Sequence, residues 1–303
     1  MKKLAIQLEH VTKEYKGKRA VDDLSLNVES GTVVALLGPN GAGKTTTISM
    51  ILGLQLPTSG KVKLLGEDPR DIKVRNRIGA MLQDVSVIDN LKVAETINLF
   101  RNYYSNPLSL EQLLHISGLE TDKNKMAVSL SGGQQRRLGF ALAVAGDPEI
   151  IFLDEPTVGM DITSRQLFWE TIRTMAARGR TVVLTTHYLD EADNVADRIV
   201  VINNGKLVAD GTPSEIKAGT TGRVISFTAG ASVTTETLRA VPGVANVEWS
   251  GRRVKLASSD TDRLIVALIE KNIDMCDIEI KSGGLEDAFQ TLVQNTNELK
   301  GAV

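Results

Sequence analysis

Gly38-Pro39-Asn40-Gly41-Ala42-Gly43-Lys44-Thr45-Thr46 follows the unbroken apolar run Val33 to Leu37. A buried strand that ends in G-x-x-x-x-G-K-T predicts a strand, a phosphate-cradling loop and a helix. Gly38, Gly41 and Gly43 let backbone amides wrap a phosphate without a Cβ in the way. Lys44 is placed to reach β- and γ-phosphates, the Thr45 hydroxyl to ligate Mg2+, and the following helix to add its positive end. Average glycine usage makes such a match a chance event in roughly one chain of this length in a hundred.

Two other stretches, Ile150 to Leu153 and Val182 to Leu184, are apolar throughout. Continuous apolar strands separated by helical stretches predict a mostly parallel sheet covered on both faces. Each run ends in a chemically loaded turn: Gly38, then Asp154-Glu155, then His187. Ligands in open α/β sheets bind at the carboxyl ends of strands, so one crevice is expected to collect all three turns. There Asp154 is placed to hold Mg2+ through its water shell and Glu155 to orient and polarise an attacking water. A second glycine turn, Leu130-Ser131-Gly132-Gly133-Gln134, has the form of a helix start with Ser131 as its cap. One nucleotide needs one cradle; two suggest a nucleotide clamped between two protein surfaces.

Around this core, Leu4, Ile6 and Leu8, then Leu24, Leu26 and Val28, then Val62 and Leu64 alternate with polar neighbours, which predicts an antiparallel β subdomain. Segments at 93–104 and 110–119 have helical spacing, so residues 85–145 are expected to form a helical insert that carries Ser131 to Gln134 near its end. Thr212-Pro213-Ser214-Glu215 has capping-box spacing with proline at the first helical position. The polar stretch Lys217 to Gly222 reads as a linker between an ATPase-type domain over 1–216 and a small α+β domain over 217–303. The order strand, helix, hairpin, helix, strand in that tail predicts a split βαβ unit. In Leu285, Ala288, Phe289, Leu292 and Val293 the segment 283–293 presents an amphipathic stripe suited to docking on the tail's own core.

The composition is that of a globular chain of 303 residues, with 42% hydrophobic and 24% charged side chains. A net charge of −2 supplies no general basic surface, so nucleic acid is not an expected partner. Cys276 is alone, which rules out an intrachain disulfide and predicts a small buried hydrophobe. No apolar run approaches the length of about 18 residues needed to cross a bilayer. Gln7, Glu9 and His10 interrupt any signal-peptide core. A soluble chain is expected, with any membrane span supplied by other chains.

Taken in order, these motifs resemble those of the ATP-binding subunit of an ABC transporter, over roughly residues 1 to 216. The resemblance implies further roles. Tyr15 corresponds to the aromatic residue that stacks on adenine. Gln83 corresponds to the glutamine that senses Mg2+ and the attacking water and faces the membrane partner. Ser131, with Gly132, Gly133 and Gln134, corresponds to the signature that grips the γ-phosphate of ATP held by the opposite protomer. Asp161 corresponds to the aspartate that communicates across the dimer, and His187 to the switch histidine on the γ-phosphate. Met160 and Ile162 depart from the usual residues but keep their apolar character. The segment from Gly283 to Val293 resembles a sequence near the end of ATPases from the drug, lipid and polysaccharide exporter branch.

The resemblance therefore implies an ATPase that binds ATP and Mg2+, pairs with a second copy, and drives export through separate transmembrane permease subunits at the cytoplasmic face of the membrane. The small C-terminal domain is compatible with regulation, dimerisation or permease contact. A soluble ABC-type ATPase of translation or DNA repair fits less well, because no heptad tract fills the stretch between Lys44 and Ser131. A P-loop kinase or GTPase leaves Ser131 to Gln134 and His187 without a task.

Overall fold

The computed structural model describes residues 3–83, 88–220, 223–258, 260–282 and 284–301. The first residues of the expected helical insert (85–87), the last two of the expected linker (221 and 222) and Gly283 lie outside them. Two compact units divide the chain, Met1–Asp210 and Gly211–Val303. The division precedes the expected limit at residue 216, because the helix Pro213–Thr220 packs within the second unit.

In the first unit, β1 (Leu4–Tyr15), β2 (Lys18–Glu29) and β4 (Ser59–Leu64) form the expected antiparallel sheet in the order β2-β1-β4. Its register pairs Leu8 with Leu26 and with Val62, and Ile6 with Val28 and with Leu64, so the apolar alternation falls on one face. Ile6, Leu8, Leu24, Val28 and Leu64 are buried there. Lys16 and Gly17 both have positive φ, 48 and 80°, and close β1 onto β2 as a two-residue hairpin loop.

The second sheet has six strands: β3 (Val33–Leu37), β5 (Ile78–Met81), β6 (Ile150–Asp154), β7 (Thr181–Thr185), β8 (Arg198–Asn203) and β9 (Lys206–Gly211). Their order is β5-β6-β7-β3-β8-β9, and the pairs β5–β6, β6–β7, β7–β3 and β3–β8 are parallel. Every residue of β3, β6 and β7 is buried, as continuous apolar runs require. Leu36, Phe152, Val183, Val200 and Ile202 share one core with Leu8 and Leu24 of the antiparallel sheet and with Ile48, Met50 and Ile51 of α1 (Lys44–Ile51). At about 1.5–3 kcal/mol per fully buried aliphatic side chain, this shared core is what holds the loop between β3 and α1 in place.

The short α2 (Ile72–Arg75) leads into β5, and α3 (Val93–Arg101), α4 (Leu110–Ser117) and α5 (Gly132–Val144) then form a helical insert ahead of β6. After β6 come α6 (Ile162–Ala177) and, beyond β7, α7 (Leu189–Val195).

The second unit begins with α8 (Pro213–Thr220), whose cap is the expected box: Thr212 N–H donates to Glu215 Oε2 at 2.8 Å and Glu215 N–H to Thr212 Oγ1 at 3.2 Å. Residues 217–220, expected as linker, are therefore helix. β10 (Arg223–Ala229), α9 (Thr235–Arg239), β11 (Asn246–Ser250), β12 (Arg253–Ser258), α10 (Thr261–Glu270) and β13 (Met275–Ser282) follow. The sheet order β11-β12-β10-β13, antiparallel throughout, is that of a split βαβ unit. Ile225, Phe227, Leu238, Val254, Leu256, Leu264 and Leu268 make its core. The last helix, α11 (Leu285–Gly301), buries Leu285 and Ala288 and packs against α8. Cys276 is exposed rather than buried, since it pairs with Thr228 on the face of the sheet opposite the core residues Phe227 and Ala229. Among the described residues no helix is long and apolar enough to cross a membrane.

Candidate functional site

Strands β6, β7 and β3 are neighbours, and parallel pairing aligns their carboxyl ends. Asp154, the last residue of β6, is in register with Thr185, the last of β7. The turns carrying Gly38, Asp154-Glu155 and His187 therefore adjoin.

The loop from Gly38 to Gly43 is built to pass close to other backbone. Gly43 has φ 106°, and a Cβ there would meet the carbonyl oxygen of Ala20 at 2.4 Å. Pro39 and Ala42 close a turn (Ala42 N–H to Pro39 O, 3.1 Å), and Gly205 N–H anchors it by donating to Ala42 O at 2.8 Å. Asn40 and Gly41 are exposed at the tip. Lys44 Nζ folds back to donate to Gly38 O at 2.7 Å and Pro39 O at 3.1 Å. Burial lowers the pKa of its ammonium, and the nearby charges of Glu155 and Asp154 partly oppose that shift. Thr45 is exposed and Thr46 half-buried in the first turn of α1, while Thr47 points inward and bonds to Gly43 O at 2.9 Å.

Thr185 organises the acidic pair. Its hydroxyl donates to Asp154 Oδ1, and the Glu155 N–H lies 3.1 Å from both its carbonyl and its hydroxyl oxygens. Asp154 is thereby held buried, 6% exposed, at the mouth of the sheet. Glu155 adopts φ 48°, a left-handed conformation that costs a non-glycine residue roughly 1–2 kcal/mol. That backbone aims its carboxylate at the next turn, where Glu155 Oε1 lies 3.3 Å from His187 Nδ1. The His187 ring in turn lies 4.3 Å from that of Tyr188.

Ser131 caps α5 in a reciprocal box. Gln134 N–H donates to Ser131 Oγ at 3.3 Å, and Ser131 N–H to Gln134 Oε1 at 2.9 Å. The Gln134 amide group then donates to the buried Asp122 at 3.0 Å. Gly133 packs against the turn before α6: a Cβ would come within 2.8 Å of Gly159 O, whereas Gly132 faces open space. Asp161 caps α6 by accepting from Ser164 N–H at 2.9 Å and Ser164 Oγ–H at 2.7 Å, bonds that hold its carboxyl below the ordinary range.

Two expected site residues stand at the ends of other strands. Tyr15 closes β1, 43% exposed, with its hydroxyl bonded to Gln55 and Lys13 Nζ at 5.2 Å from its ring centre. Gln83 is exposed just beyond β5. Three residues of the cluster carried no sequence signal: Thr185, Thr157 and Glu191. Thr185 ends an apolar run and is ambiguous there, while the other two meet only in space.

The donor set suits a triphosphate and a divalent cation. It combines a cationic amine, backbone amides at a helix start, a hydroxyl at Thr45 and a buried carboxylate at Asp154. Mg2+ is characteristically held by one or two carboxylates together with phosphate oxygens and water.

The chain is similar to known proteins of one family. The family model described as ABC transporter matches residues 21–158. Nod factor export ATP-binding protein I of Paraburkholderia xenovorans is 39% identical over 229 residues, 73% of this chain and 75% of that protein. The protein of the same name from Rhizobium johnstonii is 34% identical over 297 residues, 95% of this chain and 94% of its own length. Among solved structures, a dimeric ATP-binding cassette in a post-hydrolysis state with ADP and Pi superposes with a TM-score of 0.63 at 29% identity, covering 68% of this chain and 98% of that one. The chain belongs to the ABC transporter family, as one of its ATP-binding, ATP-hydrolysing subunits.

Proposed function

We propose that this subunit works as a head-to-tail homodimer that energises export by separate permease subunits at the cytoplasmic face of a membrane. The observation that carries the reading is the convergence of Lys44, Asp154, Glu155 and His187 at three adjoining strand ends. MgATP, when bound, supplies the phosphoanhydride bond that is broken. The amides from Gly38 to Thr46 and the Lys44 ammonium hold the β- and γ-phosphates, with Pro39, Asn40 and Ala42 shaping the loop. Thr45 and Asp154 hold Mg2+, the latter through water, and Gln83 adds a polar contact from the far side. Tyr15 offers its exposed ring to adenine.

Glu155 orients the attacking water and accepts its proton. His187, beside it, contacts the γ-phosphate and steadies the Glu155 carboxylate. In a two-fold dimer, Ser131, Gly132, Gly133 and Gln134 of one copy present the α5 N-terminus to the γ-phosphate held by the other, a favourable place for negative charge. Asp161, at the N-terminus of α6 beside that surface, relays between the two sites. The names of the relatives favour export as the direction, and Gln83 with the helical insert offers the docking region for a permease helix.

Glu155→Gln tests the reading. Keeping shape but losing the base, it should bind MgATP with unchanged affinity and lose at least about a hundredfold in turnover, the lower end for removal of a positioned base. Normal turnover would remove Glu155 from the mechanism.

A further inference from the structure

Glu191, in the first turn of α7, is a carboxylate left 8% exposed and not used by the chemistry above. Thr157 Oγ1 lies 2.8 Å from its Oε2 and 3.0 Å from its Oε1. Thr186 Oγ1 lies 3.4 Å from Oε2 and also accepts the Tyr188 N–H at 3.0 Å. Arg165 Nε, on α6, lies 3.2 Å from Oε1 without the alignment of a hydrogen bond, so that contact is one of charge. The Arg165 guanidinium also lies 4.8 Å from the centre of the Tyr188 ring, the same ring that lies tilted by 38° beside that of His187.

These contacts tie two turns together. Thr157 begins the turn that runs through Gly159, against which Gly133 packs, to the Asp161 cap of α6; its carbonyl accepts Met160 N–H at 3.1 Å. Thr186 to Tyr188 is the turn that presents His187 to Glu155. A buried carboxylate is kept only where its partners offset the loss of water, and removing one partner leaves the others unsatisfied. Here the partners come from both turns, so Glu191 restrains one relative to the other.

We propose that Glu191 is a positioning residue. Through Thr157 it fixes the segment 157–161, and through Thr186, Arg165 and Tyr188 it fixes the ring of His187. The arrangement of the signature-side turn is thereby linked to the geometry of the hydrolytic pair Glu155–His187. The inference rests on the roles given above to Glu155 and His187.

The test measures steady-state ATPase kinetics of the full chain as Glu191→Gln, Thr157→Val, Thr157→Ser and the double variant Glu191→Gln/Thr157→Val. Melting temperatures are followed in parallel, and Glu155→Gln serves as a reference. Glu191→Gln should lower kcat by about tenfold to a hundredfold, the scale of a small misplacement at the reacting centre. KM for MgATP should stay within about twofold, because the Lys44 loop is untouched. Thr157→Val should reproduce that split, Thr157→Ser should recover most of the rate, and the double variant should be no slower than the worse single one, as for two ends of one contact. Wild-type kcat in folded Glu191→Gln, equal loss in Thr157→Ser and Thr157→Val, or additive effects would overturn the link. Where Glu191→Gln does not fold, Thr157→Val against Thr157→Ser decides. Loss of turnover in Glu155→Gln beside normal turnover in Glu191→Gln overturns this inference alone; retained turnover in Glu155→Gln removes the assignment beneath it.

Discussion

Gly41 and Gly43 separate two reasons for glycine in one loop. Both have positive φ, 77 and 106°, but a Cβ at Gly41 meets nothing within 4 Å, while one at Gly43 meets Ala20 O at 2.4 Å. Gly41→Ala should therefore cost only the conformational penalty, roughly 1–2 kcal/mol. Gly43→Ala adds a backbone collision that must shift β2 or the loop, and should cost clearly more. Urea midpoints of the nucleotide-free variants check this, and equal losses would mean that the loop moves freely off Ala20. Lys44 is a different case, because its ammonium already donates to two loop carbonyls. Lys44→Ala should leave the fold intact and lower MgATP affinity by at least about tenfold, a charge-assisted contact being worth roughly 1.5–3 kcal/mol; calorimetric titration reads it directly. Of these residues the sequence announces the identity, since Gly-Lys-Thr after an apolar strand has few other uses. It does not announce the left-handed Glu155, because nothing local in Asp154-Glu155-Pro156 demands positive φ; the two contacts from Thr185 set it.

Elements differ in how plainly they can be read. β3, β6 and β7 are legible from the apolar runs Val33 to Leu37, Ile150 to Leu153 and Val182 to Leu184, because both faces of each are covered. β5 is four residues long with Gly79 inside it, too short to separate from a helix edge, and its place beside β6 comes from tertiary pairing. β8 carries the apolar run Ile199 to Ile202 before the Asn204-Gly205 turn, a hairpin signal that points to β9 but not to the neighbour β3. The cap of α5 was legible at Ser131, whereas its second anchor, Asp122 on Gln134, required the fold. Ser131→Ala should destabilise the subunit by about 0.5–2 kcal/mol, the usual loss of a helix cap, read as a lower urea midpoint. The start of the parallel sheet carries a pH dependence. Arg77 donates to Glu149 at 2.5 and 2.8 Å, and this pairing holds the Glu149 carboxyl below its ordinary value. A depressed folded pKa adds stability above the unfolded value of about 4.3 and loses it as pH falls through the folded one. Both groups are more than a third exposed, so the pair is worth only about 0.2–1 kcal/mol. Arg77→Met should therefore lower stability by that amount at pH 7, and the gap should close below the carboxylate range.

At the scale of the molecule, the two phosphate-binding turns have different allegiances. Lys44 is held by its own loop and feels Asp154 and Glu155. Ser131 bonds to Gln134, and Gly133 packs on the turn at Gly159. If one nucleotide is gripped by Lys44 of one copy and Ser131 of the other, two defective chains can complement each other. Lys44→Ala keeps an intact signature and Ser131→Arg keeps an intact loop. Each alone forms dimers with no complete site. Mixed in equal amounts, random pairing makes half the dimers heterodimers, each with one complete site and one doubly defective site. With independent sites, activity should therefore rise from near zero to about a quarter of the wild-type rate at the same total concentration. The recovery should fade on dilution, as dimers dissociate. A mixture as inactive as its components, while chemical crosslinking shows that the two variants do pair, would mean that Ser131 does not serve the partner's nucleotide, and the head-to-tail arrangement would have to be given up.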